Sequence, residues 1–180
     1  DLLAAALGTL ALREVLVPDV VAEVVGELQH TAGERRVATV EQLADLLRLL
    51  GPVPLAALPA HVADGAAAAD LIAELGPRGA LVRLAGADHL TAPSDLGLLR
   101  DALGIPVPAG HSAPASAGRD PLTQLLSCYA RTHGPFTAGE AAATFGIGPA
   151  TAAAILDREA AERRLTTGRF TPGVTETEYV

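Results

Sequence analysis

Residues 121–140 read PLTQLLSCYARTHGPFTAGE, and the fold follows from how this stretch is parsed. Asp120-Pro121 is a helix start, with Pro at the first helical position, where its missing N–H is no loss. Leu122, Leu125, Leu126, Tyr129 and His133 then recur at the spacing of one helix face. Gly134-Pro135 stops that helix. Thr137-Ala138-Gly139-Glu140 forms a capping box, in which hydroxyl and carboxylate satisfy each other's orphan N–H groups. It opens a short helix to Phe145, which Gly146 breaks. A third helix is predicted from Pro149 through Arg164, with Ile155 and Leu156 facing inward. Residues 165–171, with Gly168 at the bend, read as a two-strand hairpin. Three helices and a hairpin make the winged-helix plan, a variant of the helix-turn-helix.

The same order occurs upstream. Thr39-Val40-Glu41-Gln42 is another capping box, followed by Val40, Leu43, Leu46, Leu47 and Leu50 at helical spacing and a Gly51-Pro52 stop. A short segment, 54–62, is interrupted by Pro59. Asp64 is predicted to open a helix through Leu75, which Gly76-Pro77 ends. Residues 80–92 read as a hairpin turning at Gly86, and Ser94 is predicted to cap a helix through Leu103. The two Gly-Pro stops lie 83 positions apart, and Leu81 and Leu165, each in a first hairpin strand, lie 84 apart. Near-equal offsets point to a duplicated module. The expected fold class is mainly α with small β-hairpins, in tandem winged-helix modules. The expected organisation is an N-terminal helical segment (1–36), module 1 (37–103), a Pro/Gly-rich linker (104–119) and module 2 (120–180), truncated at its C-terminal end. Within the first segment, Leu2, Leu3, Leu7, Leu10 and Leu16 suggest one helix, ended by Pro18. Val20, Val21, Val24, Val25 and Leu28 suggest a second, capped by Asp19, with a strand as the alternative because Val favours strands.

The 180 residues include 13 basic and 21 acidic side chains, for a net charge of −8. All 13 basic residues are Arg. Without Lys, this stretch supports no Walker A phosphate loop, kinase or pyridoxal-phosphate chemistry. A single Cys and no secretory segment indicate neither a disulfide framework nor export, and no apolar run reaches the roughly 18–20 residues of a bilayer span. Five aromatics are too few for a base-stacking platform. No Gly-x-Ser-x-Gly occurs, and Gly146-Ile147-Gly148 fails the dinucleotide fingerprint at Thr151.

Candidate DNA contacts are Arg131, Arg158, Arg163, Arg164 and Arg169, since Arg on a recognition helix or wing suits phosphate and minor-groove contact. Asp157, Glu159 and Glu162 are interleaved with them, so a solvated face with pairs such as Glu159–Arg163 is the alternative. The matching helix of module 1 carries Asp64, Asp70 and Glu74 and no Arg, which suits a structural or protein-binding role. Arg35-Arg36 reads as a solvated pair. His133 reads as a helix C-terminal residue facing the dipole, not a catalytic base. His30, His61, His89, His111 and His133 lack ligand spacing, so no metal site is expected, and Cys128 has no base partner that would make it a nucleophile.

The string 129–137, YARTHGPFT, resembles a segment of the large helicase-related (Lhr) family of bacterial superfamily 2 DNA helicases. The likeness extends to Asp101-Ala102-Leu103-Gly104, Asp120-Pro121-Leu122, Glu27-Leu28-Gln29, the Asp45 to Pro52 run, the 165–172 wing and Glu178-Tyr179. It implies a fragment of the C-terminal region of a DNA-repair helicase. The ATP- and Mg-dependent motor would lie upstream, and no cofactor is expected in the fragment itself. The implied partners are DNA, in single-stranded or duplex form, and the rest of the helicase chain. The implied compartment is the cytoplasm, with no membrane contact. That region of the family is similar to AlkZ-type winged-helix DNA glycosylases, but no catalytic motif of theirs can be matched here. Two further readings remain open: a self-association module forming a homo-oligomer, and part of a glycosylase lobe.

Overall fold

The two Gly-Pro stops each lead into a strand, which the sequence alone did not reveal. A computed structural model describes residues 17–116, 118 and 120–180; the helix expected from Leu2 to Leu16 lies outside them. The chain runs α1 (Pro18–Leu28), α2 (Val40–Leu50), β1 (Val53–Pro54), α3 (Ala68–Leu75), β2 (Ala80–Leu84), β3 (Ala87–Thr91) and α4 (Leu96–Leu103). There follow α5 (Pro121–Thr132), β4 (Phe136–Thr137), α6 (Ala138–Phe145), α7 (Pro149–Ala161), β5 (Thr167–Gly168) and β6 (Glu178–Tyr179). Two antiparallel sheets of the same design result, ordered β1-β3-β2 and β4-β6-β5. In each, the strand after Gly-Pro pairs with the last strand of its module: Val53 with Leu90, and Phe136 with Tyr179. The tandem winged-helix architecture is therefore present, with one more strand per module than a simple hairpin.

Local signals account for most elements. Both capping boxes form as read. Thr39 accepts the Gln42 N–H while the Gln42 side chain accepts the Thr39 N–H, and Thr137 and Glu140 do the same. Asp120 accepts the Thr123 N–H, with Pro121 at N1. The first hairpin turns on Ala85 and Gly86, both with positive φ, the signature of a tight two-residue turn. Several expectations need correction. Asp64 does not open α3, which starts at Ala68 without a side-chain cap; its carboxylate instead accepts from the two terminal guanidinium nitrogens of Arg36 at 3.0 and 2.9 Å. Ser94 does not cap α4, whose first turn is preceded by a 3-10 turn over Pro93–Asp95. The helix from Pro149 ends at Ala161, three residues before Arg164. The 165–171 hairpin does not form: β5 pairs with the distant β6, Gly168 lies in the ladder opposite Glu178, and the chain reverses at 171–174 through Pro172-Gly173.

Residues 18–28 are helical, so the strand alternative is set aside. No residue of α1 is fully buried. Val21 and Val25 face the protein, while Val17, Val20, Val24 and Leu28 face outward. The helix is anchored at its end: the His61 imidazole donates to the Gln29 carbonyl at 2.7 Å, the Gln29 amide donates to the Thr132 carbonyl, and Val25 occupies the space over Gly134. Burial lowers the pKa of His61, and that of His133, below the usual 6.5.

Two apolar cores organise the molecule. One joins α2, α3, Val53 and Leu90. The other joins Ala80, Val82 and Leu84 of β2 and Leu96 and Leu99 of α4 to Leu125, Leu126, Tyr129, Phe145 and Leu156 of the second half. Residues 104–116 carry no helix or strand, yet they are tied down. Ile105, Val107 and Ala113 pack on the second core, Arg100 donates to the Ala113 carbonyl at 2.6 Å, and Asp101 accepts from the Ser116 N–H and hydroxyl. Arg100 and then the Ser116 N–H hold the Asp101 carboxyl down at about 2. A Cβ on Gly97 would lie 2.0 Å from the Pro114 carbonyl oxygen. No helix among the described residues is long and apolar enough to cross a membrane.

Two stability tests follow. Gly97→Ala must push the 113–116 backbone off α4 and is expected to cost about 2 kcal/mol or more in urea unfolding. Because the folded state disfavours charging His61 and His133, the unfolded chain protonates first on acidification. Stability is therefore expected to fall as pH drops from about 7 to about 5, and a His61→Gln, His133→Gln double variant should show a flatter profile over that range.

Candidate nucleic-acid interface

Whether an arginine can meet a phosphate depends on what already holds it. In residues 17–116 all six arginines are paired with carboxylates. Arg35 pairs with Glu27, Arg36 with Asp64, Arg48 with Asp45, Arg78 with Glu41, Arg83 with Asp88 and Arg100 with Asp101, at 2.6–3.6 Å. The Arg35-Arg36 pair thus consists of two internal ion pairs, one exposed and one with the guanidinium half-buried. Helix α3 carries Asp70 and Glu74 and no cation.

The second half differs. Helices α6 and α7 pack as the helix-turn-helix pair, with the turn made by Gly146, which adopts positive φ, and Ile147, whose N–H reaches back to the Ala142 carbonyl. Arg158 is exposed near the end of α7 and donates to the Thr123 hydroxyl at 3.2 Å. Arg131 is exposed on α5, with one guanidinium nitrogen 3.0 Å from the Cys128 sulfur. Arg163 and Arg169 are exposed, and neither makes an ion pair among the described residues.

Arg164 is the exception among the five candidates. Its guanidinium grips Glu159, whose side chain is only 3% exposed, with two hydrogen bonds of 2.6 Å, and also pairs with Glu162. Ser127 donates to the same Glu159 carboxylate. These pairs raise the Arg164 pKa further. The pairing expected from spacing, Glu159 with Arg163, does not form. Arg163 has φ of +59°, its N–H bonds to the Ala160 carbonyl and the Arg164 N–H bonds to the Glu159 carbonyl. This is the Schellman ending of a helix, usually made by Gly. It swings Arg163 outward and folds Arg164 back over Glu159. Arg131 and Arg164 line an open cleft of about 350 Å³ with Ser127, Glu159, Leu165 and Val180. The remaining acids near α7 are partly spoken for: Asp157 accepts from the Tyr179 hydroxyl at 2.7 Å. Burial, and then that carboxylate, hold the Tyr179 phenol up at about 12.

Residues 14–118 match a family described as large helicase-related protein, winged-helix domain. The chain belongs to the large helicase-related (Lhr) family. It is 42% identical over 175 residues to a Mycolicibacterium smegmatis protein described as an Lhr helicase and probable uracil glycosylase, covering 94% of this chain and 11% of that protein. It is 34% identical over 154 residues to the Escherichia coli Lhr helicase/uracil glycosylase, covering 82% of this chain and 10% of the relative. The chain therefore spans about a tenth of the length of these curated relatives.

In this Lhr winged-helix region the other sequence candidates settle into structural positions. His133 caps α5: its ring N–H donates to the Tyr129 carbonyl at 2.9 Å, and its imidazole stacks on the Tyr129 ring at 3.5 Å. That bond to a carbonyl of the last turn is the helix C-terminal contact its position suggested, and burial lowers its pKa. Cys128 is half-buried. His89 donates to the Ala87 carbonyl and His111 to the Gly79 carbonyl. Among the described residues no group of three or more His, Cys, Asp or Glu is placed to hold a metal ion. The burial of two carboxylates escapes sequence reasoning. Glu159 and Glu178 are both about 2% exposed, and nothing in their local pattern marks a buried acid.

Two substitutions separate the structural arginine from the exposed one. Arg164→Ala strips a counter-charge from a buried carboxylate and is expected to lower the midpoint of denaturant unfolding. Arg163→Gly relieves a left-handed non-glycine residue and is expected to raise stability by about 1 kcal/mol.

Proposed function

We propose that this chain is an accessory winged-helix region of an Lhr-type DNA-repair helicase, one that holds DNA while ATP hydrolysis occurs elsewhere in the longer protein. The observation that carries this reading is the partition of the arginines. All six described in the first half are neutralised by carboxylates, whereas Arg131, Arg158, Arg163 and Arg169 in the second make no ion pair among the described residues. Affinity for nucleic acid comes chiefly from releasing counterions, which only cations available to phosphate can do. Module 2 is therefore the DNA-facing element. Module 1, with its acidic α3 and internally paired arginines, serves as the scaffold that fixes module 2 to the rest of the helicase chain. A cytoplasmic setting and weak, salt-sensitive binding by this region alone go with that role. Base removal, which the relatives' descriptions name, is not assigned to any residue here.

The test is binding of the 180-residue chain to labelled single-stranded and duplex DNA across a salt series. Binding that weakens steeply with salt is expected. Arg169→Ala should lower the slope of log K against log salt by about one, while Arg83→Ala, at the first hairpin, should leave it unchanged. Equal slopes for the two variants would overturn the assignment to module 2. A salt-insensitive dimer in light scattering, lost on changing Val20 and Val24 to Asp, would favour self-association instead.

A further inference from the structure

The two wings are built differently. The first is a hairpin whose two-residue turn supports itself, and its arginine, Arg83, is bound to Asp88 and to the Gly86 carbonyl. The second joins Gly168 to Glu178 across nine residues, 169–177, a loop long enough to sample many paths. Glu178 sits on β6, the middle strand of its sheet, and is 2% exposed. One oxygen of its carboxylate accepts two consecutive backbone N–H groups of that loop, from Phe170 and from Thr171, the latter at 2.8 Å. It makes no ion pair among the described residues. A buried carboxylate is costly unless hydrogen-bonded, and charge-assisted bonds to successive amides are the strong, directional kind. The Phe170 ring also lies over Gly168, where a Cβ would meet Cζ at 2.6 Å. The loop is therefore folded back against its own strand on either side of residue 169.

We propose that Glu178 is the positioning residue of the second wing: its carboxylate fixes the backbone at 170–171 and so sets where the adjacent Arg169 guanidinium stands. The part of this inference that concerns DNA rests on the proposed function; the clamp itself does not.

Amide hydrogen exchange and DNA binding on the 180-residue chain test the two parts separately. Glu178→Gln keeps the shape and weakens the acceptor; Glu178→Ala removes it. In both, provided circular dichroism shows a folded chain, the Phe170 and Thr171 amides should lose protection while those of α5 keep theirs. Should the Ala variant not fold, the Gln variant carries the test. Protection unchanged in Glu178→Gln would overturn the clamp. For DNA, Glu178→Gln should weaken duplex binding by the same factor as Arg169→Ala, and the double variant should bind no worse than either single one. Additive losses, or wild-type affinity in Glu178→Gln despite lost protection, would overturn the positioning role. If the unmodified chain binds no DNA at low salt, the DNA reading falls and with it the role toward DNA, and the exchange data alone decide the clamp.

Discussion

The rest of the structure depends on one small sheet that is buried from both sides. In β1-β3-β2, pleat alternation puts Ala80, Val82 and Leu84 on one face and Leu90 with its partner Val53 on the other. The first face closes on α4 and on the helices of the second half; the second face closes on α2 and α3. At the edge, β2 leaves Leu81 and Arg83 outward, so only the centre of the sheet is shared. The hairpin of module 1 is thus also a wall of module 2. Its tip makes the same point, since the Ala85 backbone lies against Gly146, the left-handed end of α6. With α1 bonded to Thr132, the shared wall, the hairpin tip and α1 all cross what the repeat makes look like a boundary.

That rigidity bears on the electrostatics. A net charge of −8 is unpromising for the DNA contact proposed above. What matters is where the cations stand and whether they are already satisfied. The described arginines of the first half are all paired with its own carboxylates, which keeps that surface quiet toward a polyanion. The second half buries Glu159 and Glu178, using them to fold Arg164 and the wing loop, and leaves its other arginines outward. Two acids that would repel phosphate in a formal count are withdrawn from the surface.

Much of this was legible in the sequence, and the line between legible and hidden follows the range of the interactions. Capping boxes at Thr39 and Thr137, the Asp120-Pro121 start and the Ala85-Gly86 turn are settled by neighbours within four residues, and each is where the pattern placed it. The second wing is not local. Its strand β5 has a poor intrinsic claim and exists because Glu178-Tyr179 arrive beside it, so a nearer turn at Gly168 looked sufficient. Asp64 had the right chemistry for a cap, but Arg36 competes for it from 28 residues away. The apolar faces of β2 and α4 could be read, but not what they would face. For the candidate site, the five arginines were legible as a set. Arg164 could not be told from Arg163, because that distinction turns on a single left-handed backbone angle at a residue that is not glycine.

The sheet shared between the cores changes what the duplication means. A repeated module ordinarily gives a lineage a spare copy, free to drift while its twin keeps working. Here Val82 and Leu84 belong by chain to the first copy and by packing to the second, so a change at either is felt by Leu125, Tyr129 and Phe145. The copies have traded independence for a common interior. An exchange of one module for that of a distant relative would bring the wrong wall to the other's core. The pair has to be altered as one.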